Sequence, residues 1–233
     1  MFFEYVDTGS WTSSTYKSNE NDFKSIKFRQ RVARDMTGRR LNIKTLGQKV
    51  SMPIALSPIG ICGLQYANGE ILAAKAAEKI GIPFTLSTMS ICSIEDVAQN
   101  VSKPFWFQLY MMKDRVFMDG LIRRAKLAEC SALIVTLDLQ DMGQRHNDER
   151  NHLTAPPKIN VNTIQQFISK PSWCLNMLTA KRYNFGNIMG HVNDVTNLSS
   201  LASWTADQFD PSLTWKDIDW IRERWPGKLI LKG

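Results

Sequence analysis

Five short apolar runs, each spaced from the next by a helix-like stretch or a loop, constrain this chain more than any other feature. They fall at residues 52–58, 83–87, 105–110, 132–136 and 229–233. Helical patterns sit between and before them at 70–79, 93–98, 114–129 and 215–224. The run at 132–136, Ala-Leu-Ile-Val-Thr, is continuously apolar, as a strand buried on both faces must be. Alternating strands and helices predict an α/β fold with a parallel sheet and helices outside it. Right-handed crossovers curl successive units the same way, which leads to a TIM (β/α)8 barrel, here with about its first five strands.

Local signals set the element ends. Gly81 closes the 70–79 helix in the usual C-terminal role. Ser93 with Asp96 three positions on reads as a capping box. In the 114–129 helix, Arg123, Arg124 and Lys126 are expected to face solvent. The expected organisation is one partial domain over 1–233. It has a polar cap at 1–49, four βα units at 50–140, a long loop excursion at 141–213, and a helix and fifth strand at 214–233. The excursion is polar and aperiodic, and so long a loop in a compact domain is usually functional.

The balance of charges, 29 Lys and Arg against 22 Asp and Glu, permits acidic partners without choosing one. The cations are scattered, as at Lys24, Lys27, Arg29, Arg31 and Arg34, and no nucleic-acid motif is present, so no nucleic-acid partner is expected. Cys62, Cys92, Cys130 and Cys174 form no CxxC pair, which predicts reduced thiols and a cytoplasmic protein. No signal-peptide pattern opens the sequence, and no apolar run is long enough to span a bilayer. His146 and His152 fit no standard metal-ligand spacing, and no metal is expected.

Chemistry is sought at the strand ends, because the carboxyl-terminal rim of a barrel carries its active site. There stand Pro58, Ile59 and Gly60; Ser87 and Thr88; Gln108 and Tyr110; Thr136 and Asp138; and Lys232. Hydroxyls, a carboxamide, a phenol and a cation on one rim suit a heteroaromatic cofactor needing donors and acceptors along its edge. The same residues also suit plain strand capping. No GxGxxG or P-loop pattern accompanies them.

At these positions the chain resembles the FMN-dependent 2-hydroxy acid oxidoreductases, nearest to their respiratory, quinone-linked, L-lactate-oxidising members. The resemblance rests on Phe3-Glu4-Tyr5-Val6-Asp7-Thr8-Gly9, Ser51-Met52-Pro53-Ile54-Ala55-Leu56-Ser57-Pro58, Gly81-Ile82-Pro83-Phe84-Thr85-Leu86-Ser87-Thr88 and Trp106-Phe107-Gln108-Leu109-Tyr110. Phe209-Asp210-Pro211-Ser212-Leu213-Thr214-Trp215-Lys216-Asp217 and Leu231-Lys232-Gly233 continue it in the same order. It implies FMN on the barrel rim and oxidation of L-lactate, or a similar 2-hydroxy acid, to pyruvate, with quinone as acceptor. By position it implies Tyr5, Tyr110 and Arg145 at the substrate. It implies the backbone at Pro58, Ile59 and Gly60, with Ser87, Gln108, Thr136 and Lys232, at the flavin. Asp138 resembles the carboxylate that supports the family's catalytic histidine.

That histidine belongs, in the family, to a Ser-Asn-His-Gly-x-Arg-Gln segment after a sixth strand, and the sequence contains no such segment. The expectation is therefore an amino-terminal portion of the enzyme, inactive alone. The alternative is a non-catalytic remnant or half-protein that binds a membrane or a complementing chain. Trp173, Leu175, Met177 and Leu178 beside Lys170, Lys181 and Arg182 suit peripheral contact through 141–213 with the cytoplasmic face of the inner membrane. A homo-oligomer is compatible with the resemblance.

Overall fold

The computed structural model describes residues 2–140, 143–151, 161–192, 195 and 198–233. The chain opens with α1 (Phe2–Asp7) and α2 (Ser14–Ser25), then an antiparallel hairpin of β1 (Ile43–Thr45) and β2 (Gln48–Val50). The hairpin turn is Leu46-Gly47, with φ of 47° and 83°. Two positive φ values in a two-residue turn match the twist of the flanking strands. Leu46 packs against the cluster of Trp106, Ala132 and Ile134, so the hairpin plugs the end of the main sheet where its strands begin. The cap at 1–49 thus contains a hairpin that its polarity concealed.

The main sheet is parallel, in the order β3 (Thr85–Ser87), β4 (Trp106–Tyr110), β5 (Ala132–Thr136), β6 (Lys228–Lys232). The expected first strand at 52–58 is reduced to one parallel bridge, Leu56 to Phe84. Pro53 and Pro58 bracket it and cannot donate to a ladder, which leaves Leu56 to bond Pro83 and Thr85. Between the strands lie α3 (Cys62–Gln65), α4 (Gly69–Ile80), α5 (Ile94–Ala98) and α6 (Arg115–Leu127). Gly81 caps α4 at φ 82°, and Ser93 with Asp96 forms the capping box of α5.

Alternation along the strands sorts the side chains onto two faces. Leu86, Phe107, Leu109, Leu133 and Val135 bury with Ile71, Met118, Leu121 and Ile221 of the helices. The opposite face carries Ser87, Gln108, Tyr110, Thr136 and Lys232 toward the strand ends. A parallel sheet covered by helices on one face only is the wall of a barrel, its second face turned inward.

The excursion is not one long loop. It holds α7 (His146–Arg150), α8 (Val161–Ile168), α9 (Pro171–Leu178) and α10 (Leu198–Asp207), followed by α11 (Trp215–Arg224). Periodicity does not reveal α7 to α10, because they are short and two of them present apolar residues to solvent, whereas α11 is the helix expected at 215–224. Arg124 also departs from expectation. Its side chain is only 14% exposed and pairs with Glu95 at 2.6 Å, whereas Arg123 does face solvent.

Candidate functional site

One row of polar side chains crosses the inner face near the strand ends. Pairing sets Ser87 beside Gln108 and Tyr110 beside Thr136, and Thr136 beside Lys232. Ser87 Oγ donates to Gln108 Oε1 at 3.1 Å, and Gln108 Nε2 donates to Thr136 Oγ1 at 2.9 Å. All three residues are buried. The chain of bonds runs one way, so the Thr136 hydroxyl proton and the second Gln108 amide proton are left to donate outward. Lys232 Nζ lies 3.7 Å from Asp138 Oδ1, both half exposed at the rim.

Tyr110 stands at the head of β4 above this row. Burial pushes its phenol up to about 12, with the charges of Tyr5 and Asp138 adding to the effect. It therefore stays protonated, a hydrogen-bond donor, at any physiological pH. Tyr5 comes from α1, so the amino-terminal helix reaches the same rim. The Arg145 guanidinium lies 4.6 Å over the Tyr5 ring, donates to the carbonyls of Tyr5 and Thr8, and pairs with Asp148. The structure thus gathers Tyr5, Tyr110, Asp138 and Lys232 at one rim. It seats Arg145 against Tyr5, with several of its donors engaged by the chain itself.

Pro58, Ile59 and Gly60 form the loop beyond the Leu56 bridge. The loop is pinned at Ile61, whose N–H donates to Met89 O at 2.9 Å and whose φ is 52°. A β-branched residue in that region is strained, and the surrounding bonds must hold it there. Glu70 supplies one of them from beneath. It is buried, and its Oε1 accepts from Gly63 N at 2.9 Å and Ile91 N at 3.0 Å. Glu70 escaped sequence reasoning because it reads as an ordinary first-turn acid of α4. Its Oε2 is buried without a hydrogen bond.

Two of the three histidines are described. His146 contacts Gln144 and the Trp11 ring, whose centroid is 5.3 Å away. His191 lies in a hollow with Phe117, Leu121 and Arg124 on the helix side of the sheet. His152 lies outside the described residues. Among the described residues no group of three or more His, Cys, Asp or Glu is placed to hold a metal ion.

A parallel barrel wall with donors and acceptors along its inner rim is an edge on which a heteroaromatic cofactor can be held. The FMN-dependent dehydrogenase family model matches residues 1–233, and the chain belongs to that family. It is 43% identical over its whole length to L-lactate dehydrogenase of Vibrio parahaemolyticus, covering 62% of that protein. L-lactate dehydrogenase of Acinetobacter baumannii is 41% identical, with 61% of its length covered. Among solved structures, the monotopic membrane protein (S)-mandelate dehydrogenase superposes with a TM-score of 0.92 at 29% identity, over the whole chain and 61% of that structure. The fold is thus that of the α/β-barrel flavin dehydrogenases, and the chain spans about three fifths of the relatives it matches.

The residues present fit FMN, the family's cofactor. A flavin ring edge alternates carbonyl acceptors with an N–H donor, and the Ser87–Gln108–Thr136 row offers hydroxyl and amide groups of both kinds. Lys232 adds a cation at the end of that row, where negative charge on a ring is stabilised.

Proposed function

We propose that these residues form the flavin edge and part of the substrate pocket for oxidation of L-lactate to pyruvate, with a quinone as the electron acceptor. The observation that carries this reading is the continuous row Ser87–Gln108–Thr136–Lys232 beside two phenols, Tyr5 and Tyr110. The names of the relatives favour lactate among 2-hydroxy acids. FMN, when bound, would supply the two-electron acceptor that oxidation of an alcohol requires. Ser87, Gln108 and Thr136 fix the ring by its polar edge, and Lys232 favours negative charge on it. Tyr110 and Tyr5 hold the substrate by hydrogen bonds, and Arg145 adds positive charge toward its carboxylate. Asp138, in a loose ion pair with Lys232 at 3.7 Å, serves to orient a base. By themselves these 233 residues are proposed to bind flavin without turning over lactate. His191 lies on the helix side of the sheet, His146 contacts Gln144 and the Trp11 ring, and the sequence contains no Ser-Asn-His-Gly-x-Arg-Gln segment.

The test is the visible spectrum of the purified chain after incubation with FMN and gel filtration, before and after L-lactate. Retained flavin that lactate does not bleach supports the reading in full. Absence of retained flavin overturns the site, and bleaching overturns the inactivity.

Membrane contact is proposed for the α8–α9 hairpin. Val161, Ile164, Ile168, Leu175 and Leu178 are exposed there, with Lys170 and Lys181 exposed beside them. Apolar groups flanked by cations suit peripheral docking on an anionic lipid surface, and no helix among the described residues is long and apolar enough to cross a membrane. Trp173 and Met177 belong to the underside instead. Trp173 Nε1 donates to Leu64 O at 3.0 Å, and Met177 buries against Ala67. Arg182 is likewise engaged, with Asp96 and Asn68. Replacing Ile168, Leu175 and Leu178 by Ser is expected to abolish sedimentation with anionic vesicles, and unchanged sedimentation rejects the contact.

A further inference from the structure

We infer that Asn187 is a positioning residue for the turn after β3, the turn that carries Ser87 to the flavin edge; the inference rests on the flavin reading above. Asn187 arrives from the far end of the excursion and has no solvent exposure. Its Nδ2 donates to Ser90 Oγ at 2.9 Å and Ser87 O at 3.2 Å, with Thr88 O at 3.5 Å. Its Oδ1 accepts from Ile94 N at 2.9 Å, at the start of α5, and from Arg124 at 3.3 Å. Arg124 also donates to the Asn187 carbonyl at 3.1 Å and is itself held by Glu95. One small side chain therefore bridges both ends of the 87–94 segment.

The chemistry selects asparagine. Three oxygens face the amide NH2 and one backbone N–H faces the amide oxygen, so only a side chain with a donor and an acceptor on one fork satisfies both. Gly186 makes the approach possible. A Cβ there would lie 2.8 Å from both Ile91 O and Ser93 N. Within the turn, Ser87 Oγ accepts from Met89 N at 3.1 Å, and Thr88 Oγ1 donates to Gln108 O at 2.6 Å. The sheet therefore fixes the turn from the inner face, and Asn187 fixes it from the outside. The same segment of chain leads back to α9, which joins the α8–α9 hairpin to the flavin rim by a short covalent path.

The test compares the full chain with Asn187→Asp, Asn187→Ser and Arg182→Ala. Asn187→Asp keeps the size and the acceptor for Ile94 but sets a carboxylate oxygen against Ser87 O and Thr88 O. Asn187→Ser keeps one hydroxyl donor, in case the aspartate does not fold. Arg182→Ala cuts a different tie of the same returning segment, to Asp96 and Asn68. Two readouts are taken: hydrogen exchange of the amides at 88–94 without flavin, and FMN affinity by fluorescence quenching. The Asn187 variants are expected to speed exchange at 88–94 and weaken FMN binding about tenfold, the loss of roughly one buried hydrogen bond. Arg182→Ala is expected to lower the melting temperature and to loosen exchange only at Ser93, whose N–H the Arg182-held Asp96 caps, with exchange at 88–92 and FMN affinity unchanged. Unchanged exchange at 88–94 in the Asn187 variants, or equal loosening by Arg182→Ala, overturns the inference. Loosened exchange with unchanged FMN affinity overturns it as well. If the parent chain binds no FMN, the flavin reading fails on its own, and the exchange data still decide whether Asn187 sets the turn.

Discussion

Gln108 donates through Nε2 to Thr136 Oγ1 at 2.9 Å across the β4–β5 pair, while its Oε1 accepts a hydrogen bond from Ser87 Oγ of β3. A single carboxamide thus ties three adjacent strands on their inner face. Asp or Glu in its place lacks the donor, and an apolar residue lacks both functions. Gln108→Leu leaves the Ser87 and Thr136 hydroxyls buried without these partners, at a cost of about 1–3 kcal/mol. Urea denaturation is expected to show that loss, together with weaker FMN retention. A variant as stable as the parent contradicts the tie.

Much of this was legible beforehand, for physical reasons. Apolar runs, the αL glycine at 81 and the Ser93–Asp96 box are local signals, and local signals survive in one sequence. The residues gathered at the rim were legible because strand ends of parallel barrels converge by geometry. Glu70, Asn187 and Arg124 were not legible. Each acts through partners far along the chain, such as Asn187 on Ser87, and no spacing rule encodes such a contact. The Leu46-Gly47 hairpin was missed because leucine at a positive φ is uncommon, and the packing of its side chain on Trp106 and Ile134 offsets the strain. The first strand was overread, since the two prolines that mark its ends also remove its donors.

The Glu95–Arg124 pair predicts an acid-sensitive step. The Arg124 hydrogen bond is the main cause that holds the Glu95 carboxyl down at about 2, against an ordinary 4.5. Between these values the unfolded chain takes up a proton that the folded chain refuses, so stability falls as pH falls through this window. The contribution is fully present above about pH 4.5 and gone below about 2. Glu95→Gln is expected to flatten the pH dependence of the melting temperature between those limits. Because the carboxylate is half exposed, the change is expected to be modest. An unaltered slope counts against the pair.

Gly63 has no room for a side chain. A Cβ there would meet Ile91 Cβ at 2.7 Å and Glu70 Oε2 at 2.9 Å. Gly63→Ala must therefore push α3 from the 91 turn and strain the Glu70 bonds to both. Overpacking of this kind costs about 1–3 kcal/mol. Thermal denaturation is expected to show it, with greater loss of FMN affinity than an equally destabilising change at a remote core site such as Ile221. Tolerance of alanine at full stability rejects the close packing.

The thiols divide by burial. Burial pushes Cys62 up to about 11 and Cys130 up to about 12, with Glu70 and Glu95 respectively adding to the effect, and raises Cys92 as well. The thiolate is the reactive form. All three are expected to resist iodoacetamide at pH 8 in the folded chain and to react once urea unfolds it. Mass spectrometry of the alkylated peptides checks this. Rapid labelling of Cys130 in the native chain contradicts its burial beneath α6.

Lys232 separates stability from flavin chemistry. Its side chain is half exposed and its ion pair with Asp138, at 3.7 Å, is loose and solvated, so the pair contributes little to folding. Lys232→Met is therefore expected to change stability by less than about 0.5 kcal/mol. A fixed cation at the ring edge still favours the reduced, anionic flavin over the oxidised one, because its field acts on charge that appears only on reduction. The variant is expected to bind FMN with a lower reduction potential than the parent, measured by dye-linked titration. Equal potentials at equal stability remove Lys232 from the flavin edge and leave it a rim cation paired with Asp138.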